Sequence, residues 1–107
     1  MQNKIKVITM CGSLKFQEQL KRESESLELK GNCVLSVIYP IKAKELYSSD
    51  EVELFGKMHF KRIDMSDAIY VVNVDGYIGE STRKEIAYAK SNGKEILYYE
   101  KENAIKR

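Results

Sequence analysis

Four short apolar runs recur along the chain, each parted from the next by a longer stretch of mixed polarity. They are residues 5–10 (IKVITM), 33–38 (CVLSVI), 68–74 (AIYVVNV) and 95–99 (EILYY). All are rich in Val, Ile and Tyr, and runs this short and this branched read as strands buried on both faces. Turn-forming residues follow the first three: Gly12, Pro40 and Gly76. The stretches between them place apolar residues at helical spacing. Over residues 15–30 these are Phe16, Leu20 and Leu27, with Gly31 where a C-terminal cap belongs. Over residues 50–66 they are Phe55, Met58 and Ile63, and Asp50 with Glu53 has the form of a capping box. Over residues 80–92 they are Ile86 and Ala89, with Gly93 as the stop.

The order is therefore β-α-β-α-β-α-β. Strictly alternating elements of this kind build a parallel sheet with helices on both faces and right-handed crossovers. The expected fold is an α/β, flavodoxin-like or Rossmann-like three-layer sandwich with a small sheet of four or five strands. Residues 1–100 form one domain, and residues 101–107 form a charged tail. Such a sheet receives ligands beyond the carboxyl ends of its strands, where the strand order reverses. Those ends fall at residues 11–15, 39–41 and 75–82.

Composition narrows the classes of function. The chain has 107 residues, 43% of them hydrophobic and 32% charged, enough for one buried core. A net charge of +2, dispersed along the chain, argues against nucleic acid as a partner. No apolar run is long enough to span a bilayer, and the first strand begins without the pattern of a secretory signal. A cytoplasmic protein is expected. The two cysteines, Cys11 and Cys33, lie in or beside apolar runs and read as reduced core thiols. With one histidine and no CxxC pair, neither a structural zinc site nor any other metal or cofactor is expected.

Two loops carry candidate chemistry. Cys11-Gly12-Ser13-Leu14-Lys15 follows a strand and opens a helix. Gly12 admits close approach of a ligand, the helix start offers N–H groups to an anion, Ser13 adds a hydroxyl and Lys15 a charge. The same turn is also served by Ser13 acting simply as an N-cap. The second loop is DGYIGEST, residues 75–82, in which Gly79, Ser81 and Thr82 precede another helix at the same edge of the sheet. Glu85 has two readings. Thr82-Arg83-Lys84-Glu85 fits the S/T-x-x-E capping box, and the same placement aims a carboxylate at the crevice. His59, the lone histidine, shares a helical face with Phe55 and Ile63, which suits a half-buried structural residue or an acid–base group. Tyr39, Tyr47 and Tyr77 lie at or near loops, where an aromatic ring can stack on a base or simply pack.

Taken together, CGSLK after the first strand, then SDAIYVVNV, then GESTRKEIAYAKSNGKEILYY resemble the nucleoside 2-deoxyribosyltransferase superfamily, most closely its 2'-deoxynucleoside 5'-phosphate N-hydrolase branch. Glu85-Ile86-Ala87-Tyr88-Ala89 matches the family's E-x-G-x-A helix, with Ala87 for glycine, and Gly12-Ser13 matches its phosphate-binding turn. The resemblance implies cleavage of a base–sugar bond. Glu85 would be the nucleophile, with Ser13, Lys15, Ser81 and Thr82 around a 5'-phosphate. It also implies a homodimer or higher homo-oligomer. Two positions depart from the pattern: His59 stands where the family's acid lies, and Thr9 where the branch has a tyrosine. The expected function is a nucleotide N-glycosidase or deoxyribosyl-transfer enzyme, with Glu85 and His59 catalytic. The alternative is a non-catalytic nucleotide-binding or sensing domain on the same scaffold.

Overall fold

A computed structural model describes residues 4–101. Its core is a four-stranded, all-parallel sheet in the order β2-β1-β3-β4. The strands are β1 (Val7–Cys11), β2 (Cys33–Leu35), β3 (Ala68–Val71) and β4 (Glu95–Tyr98). The helices are α1 (Gln17–Leu29), α2 (Ser49–Asp64) and α3 (Glu80–Ser91). Single 3-10 turns precede them at Leu14–Phe16, Lys44–Leu46 and Val74–Gly76. This is the flavodoxin-like three-layer arrangement that the alternating pattern predicts.

The pleat sorts the central strands between two apolar layers. On one face Met10 and Val72 bury against Leu20 of α1, with Tyr70 packed beside them. On the other, Cys11, Ile69 and Val71 pack with Ile63 of α2 and Ala89 of α3. The strands thus read as continuous apolar runs, because both of their faces are covered. One polar tie runs through the second layer. Thr9 Oγ1 lies 2.5 Å from Ser66 Oγ, and the two lie 3.0 and 2.7 Å from the carbonyl oxygen of Arg62, so that one hydroxyl donates to the other and that one to the carbonyl. They add to the Met65 N–H, which donates to the same carbonyl at 3.2 Å as α2 ends. Asp67 fixes where the sheet begins. Its carboxylate accepts from the N–H of Val7 at 2.8 Å, and its own N–H donates to the Val7 carbonyl at 2.8 Å.

Several boundaries differ from expectation. β2 stops at Leu35 rather than residue 38. Residues 37–40 leave the sheet and turn toward the strand ends, where Val37, Ile38 and Pro40 line a cleft. β3 stops at Val71, three residues early, because Asn73 swings its side chain to Glu100. The Asn73 amide donates to the Glu100 carbonyl at 3.0 Å and accepts from the Glu100 N–H at 2.8 Å. The Glu100 carboxylate then accepts from the N–H groups of Asp75 and Gly76, at 2.9 and 3.1 Å. That clamp holds Asp75 at a φ of 54°, a conformation Asp tolerates better than most residues. The α2 capping box is built by Ser48 and Glu51, not Asp50 and Glu53, so the helix starts one residue earlier. Cys11 is a buried thiol as expected, but Cys33 is exposed, since β2 is an edge strand. The tail beyond residue 101 lies outside the described residues. Among the described residues, no helix is long and apolar enough to cross a membrane.

Candidate functional site

α1 leaves β1 toward one face of the sheet and α3 leaves β3 toward the other, so the carboxyl ends of these neighbours part. A cleft of about 790 Å³ opens there, within the size range of small-molecule sites. All eight positions singled out in the sequence line it: Gly12, Ser13, Lys15, His59, Gly79, Ser81, Thr82 and Glu85.

The β1 loop is shaped by close packing. A Cβ on Gly12 would sit 3.2 Å from the Val72 carbonyl oxygen and 3.3 Å from Val72 Cβ, at a φ of +154°. Only glycine lets the chain turn here against β3. Ser13 caps the following turn, its Oγ accepting from the Lys15 N–H at 3.3 Å. The Lys15 ammonium lies 3.6 Å from the centroid of the Tyr77 ring, a cation–π contact. Tyr77 in turn meets the ring of Phe16 edge-on. On the facing loop, Gly79 is the N-cap of α3 and supplies no side-chain acceptor. The first-turn N–H groups of this 12-residue helix therefore point at the cleft with the positive end of the helix dipole behind them. Thr82 is buried in this turn and Ser81 is exposed.

The structure decides between the two readings of Glu85. The helix begins at Glu80 behind Gly79, so Thr82 is not its cap and Glu85 closes no capping box. The carboxylate instead turns inward. Glu85 Oε1 lies 3.6 Å from His59 Nε2, and His59 Nε2 lies 3.5 Å from Cys11 Sγ. The other imidazole nitrogen, Nδ1, lies 3.4 Å from Arg62 Nη1. A guanidinium only donates, so Nδ1 accepts and the ring proton sits on Nε2, directed at Glu85 and Cys11. Among the described residues, Cys11, His59 and Glu85 are also the one group that could converge on a metal ion, with ligand atoms within 4.8 Å of one another.

Burial controls the charge of this trio. It raises Glu85 from 4.5 to about 7, against a lowering contribution from the Cys11 hydrogen bond. It lowers His59 to about 4, with the positive charge of Arg62 acting in the same direction. Burial, the Glu85 charge and the Glu85 hydrogen bond together push the Cys11 thiol well above its ordinary range. The 3.6 Å contact between His59 and Glu85 is consequently no ion pair near neutrality. It joins a neutral imidazole to a carboxyl group that ionises near pH 7.

Sequence reasoning missed several cleft residues. Cys11 does not line the cleft; it reads as core, and is core, yet its sulfur meets His59 Nε2 because it is the last residue of β1. Arg62 lies one turn beyond His59, and that i, i+3 spacing was the available signal. Lys42 and Lys44 lie in the segment after β2, which has no periodicity to place it. Of the three loop tyrosines, Tyr47 and Tyr77 line the cleft, while Tyr39 packs under Lys21, 5.0 Å from its ammonium. Asp64 faces away from the cleft and accepts from Tyr88 Oη at 2.5 Å.

No protein-family model, curated protein or solved structure matches this chain.

Proposed function

We propose that this protein is a nucleotide N-glycosidase or deoxyribosyl-transfer enzyme acting on a (deoxy)nucleoside 5'-monophosphate, with Glu85 as the nucleophile. The observation that carries the reading is the setting of Glu85. Its carboxylate turns inward between two loops suited to an anion, in the cleft at the strand-order switch, while the other cleft carboxylate, Glu80, is exposed. Ser13, Lys15 and the first turn of α3 hold the phosphate. Glu85 then attacks the anomeric carbon, forming an ester to the sugar as the base departs, and water or an acceptor base resolves the ester. His59 donates its Nε2 proton toward Glu85 and fixes the carboxylate's direction. The homodimer and cytoplasmic setting belong to the same reading. Leu54 and Met58, one turn apart and exposed on α2, offer apolar surface for a second copy to cover.

Base release from a panel of ribo- and deoxyribonucleoside monophosphates, followed by chromatography, tests the proposal. Release by the wild type and loss of about a hundredfold or more in Glu85→Gln are expected. A nucleotide-dependent rise in melting temperature without release would overturn catalysis and favour the binding domain, which His59 in place of an acid also fits.

A further inference from the structure

The two halves of the cleft differ in chemistry. One half is formed by the Gly12–Lys15 turn and the start of α3, the part suited to a phosphate. The other is walled by Pro40, Tyr47 and Phe55, with three cations, Lys42, Lys44 and Arg62. This wall is built rather than loose. The Lys42 N–H donates to Tyr47 Oη at 3.2 Å, Tyr47 packs edge-on against Phe55, and the Lys42 ammonium lies 4.7 Å from the Tyr47 ring centroid. Among the described residues, no carboxyl group lines it. The cleft-lining carboxyl groups, Glu80 and Glu85, both belong to α3. His59 is not free to serve as the missing acid, since the Arg62 guanidinium occupies its Nδ1 and its Nε2 proton faces Glu85.

We propose that this second half of the cleft holds a base that leaves as an anion, a uracil-type pyrimidine with an acidic ring N–H, and that Arg62 neutralises the charge as it departs. The inference rests on the glycosidase reading and names its substrate class. As the C1'–N bond breaks, its electron pair stays with the base nitrogen while a Glu85 oxygen bonds to C1'. The base leaves as the anion beside Arg62, with Lys42 and Lys44 at the mouth, and takes its proton from solvent. Water then cleaves the ester, restoring the Glu85 carboxylate and releasing a proton. A uracil-type ring spreads the developing charge over its carbonyls, so a positioned cation suffices. Adenine and cytosine depart readily only when protonated, and among the described residues this wall carries no carboxylic acid or free imidazole to supply that proton.

The test compares 2'-deoxy 5'-monophosphates of 5-fluorouracil, uracil, cytosine and adenine, using wild type, Arg62→Gln and Arg62→Lys. Release is expected to fall in that order of bases, by about tenfold or more from uracil to cytosine and adenine. Arg62→Gln should slow uracil release by about a hundredfold. It should slow 5-fluorouracil release less, because the more acidic base needs less help. Its melting temperature should stay near that of the wild type, since the Arg62 carbonyl, not the side chain, ties to Thr9 and Ser66. Arg62→Lys should recover part of the rate. Adenine or cytosine released as fast as uracil, or the same loss in Arg62→Gln for uracil and 5-fluorouracil, would overturn the proposal while leaving the glycosidase standing. No release from any substrate, or undiminished release by Glu85→Gln, would remove both.

Discussion

Glu85 and His59 titrate in opposite senses, and together they hide each other's effect on stability. Folding raises Glu85 from 4.5 to about 7, so the folded protein binds the extra proton between those values. Its contribution therefore falls as pH rises from 4.5 to about 7, and the ionised carboxylate remains a cost above that. At 1.36 kcal/mol per tenfold change in proton affinity, the loss is about 3 kcal/mol. Folding lowers His59 from 6.5 to about 4, so the unfolded chain binds the extra proton between those values. Its contribution rises with pH over that window, by about 3 kcal/mol. The two slopes overlap and nearly cancel in the wild type. Single replacements unmask them. Urea denaturation of Glu85→Gln should show stability climbing between pH 4 and 6.5, and a gain over the wild type about 3 kcal/mol larger at pH 8 than at pH 4.5. In His59→Gln, stability should instead fall between pH 4.5 and 7. Cys11, which also faces this pair, stays neutral throughout the range, because burial and the neighbouring Glu85 hold its thiol well above its ordinary value. Differences between wild type and either variant that do not change with pH would refute the reasoning.

The ionisation of Glu85 also sets the pH dependence of the proposed reaction. The kcat/KM for base release should rise through about pH 7 to a plateau in the wild type, as the nucleophile loses its proton; a rate that falls from pH 6 to 8 would contradict that role. Gly12→Ala places a methyl group 3.2 Å from the Val72 carbonyl oxygen, and should lower stability by about 1–3 kcal/mol in denaturant titration while weakening nucleotide binding in a thermal-shift assay.

The sheet was legible because both its faces are covered. Apolar runs such as VITM and AIYV have one explanation when strands alternate with amphipathic stretches. What the pattern missed lies where the chain leaves the sheet. The SVI of residues 36–38 is as apolar as the strand before it, yet pairing with β1 ends at Leu35, and Val37 and Ile38 line the cleft instead. Asp50 and Glu53 satisfy the spacing of a capping box, but so do Ser48 and Glu51, and the hydroxyl two residues earlier caps the helix. The site divides in the same way. Loop glycines and hydroxyls announce themselves because few other roles demand them. Glu85 fitted two local patterns equally well, and the choice depended on where α3 starts, which Gly79 settles. The contact between Cys11 and His59 joins residues 48 positions apart and has no local signal at all.

The clamp of Glu100 on the turn after β3 sets one wall of the cleft before any ligand arrives. Tyr77, resting on Lys15, stands on a turn whose N–H groups are already held by a carboxylate, so folding rather than ligand binding orders that wall. The facing segment, around Lys42 and Lys44, is exposed and shaped mainly by its own short turns. Both walls of the cleft are thus fixed by contacts within the chain, one by the Glu100 clamp and the other by the packing of Tyr47 on Phe55 and Lys42. Such a cleft is shaped in advance of its ligand, so little of the binding free energy goes into ordering it.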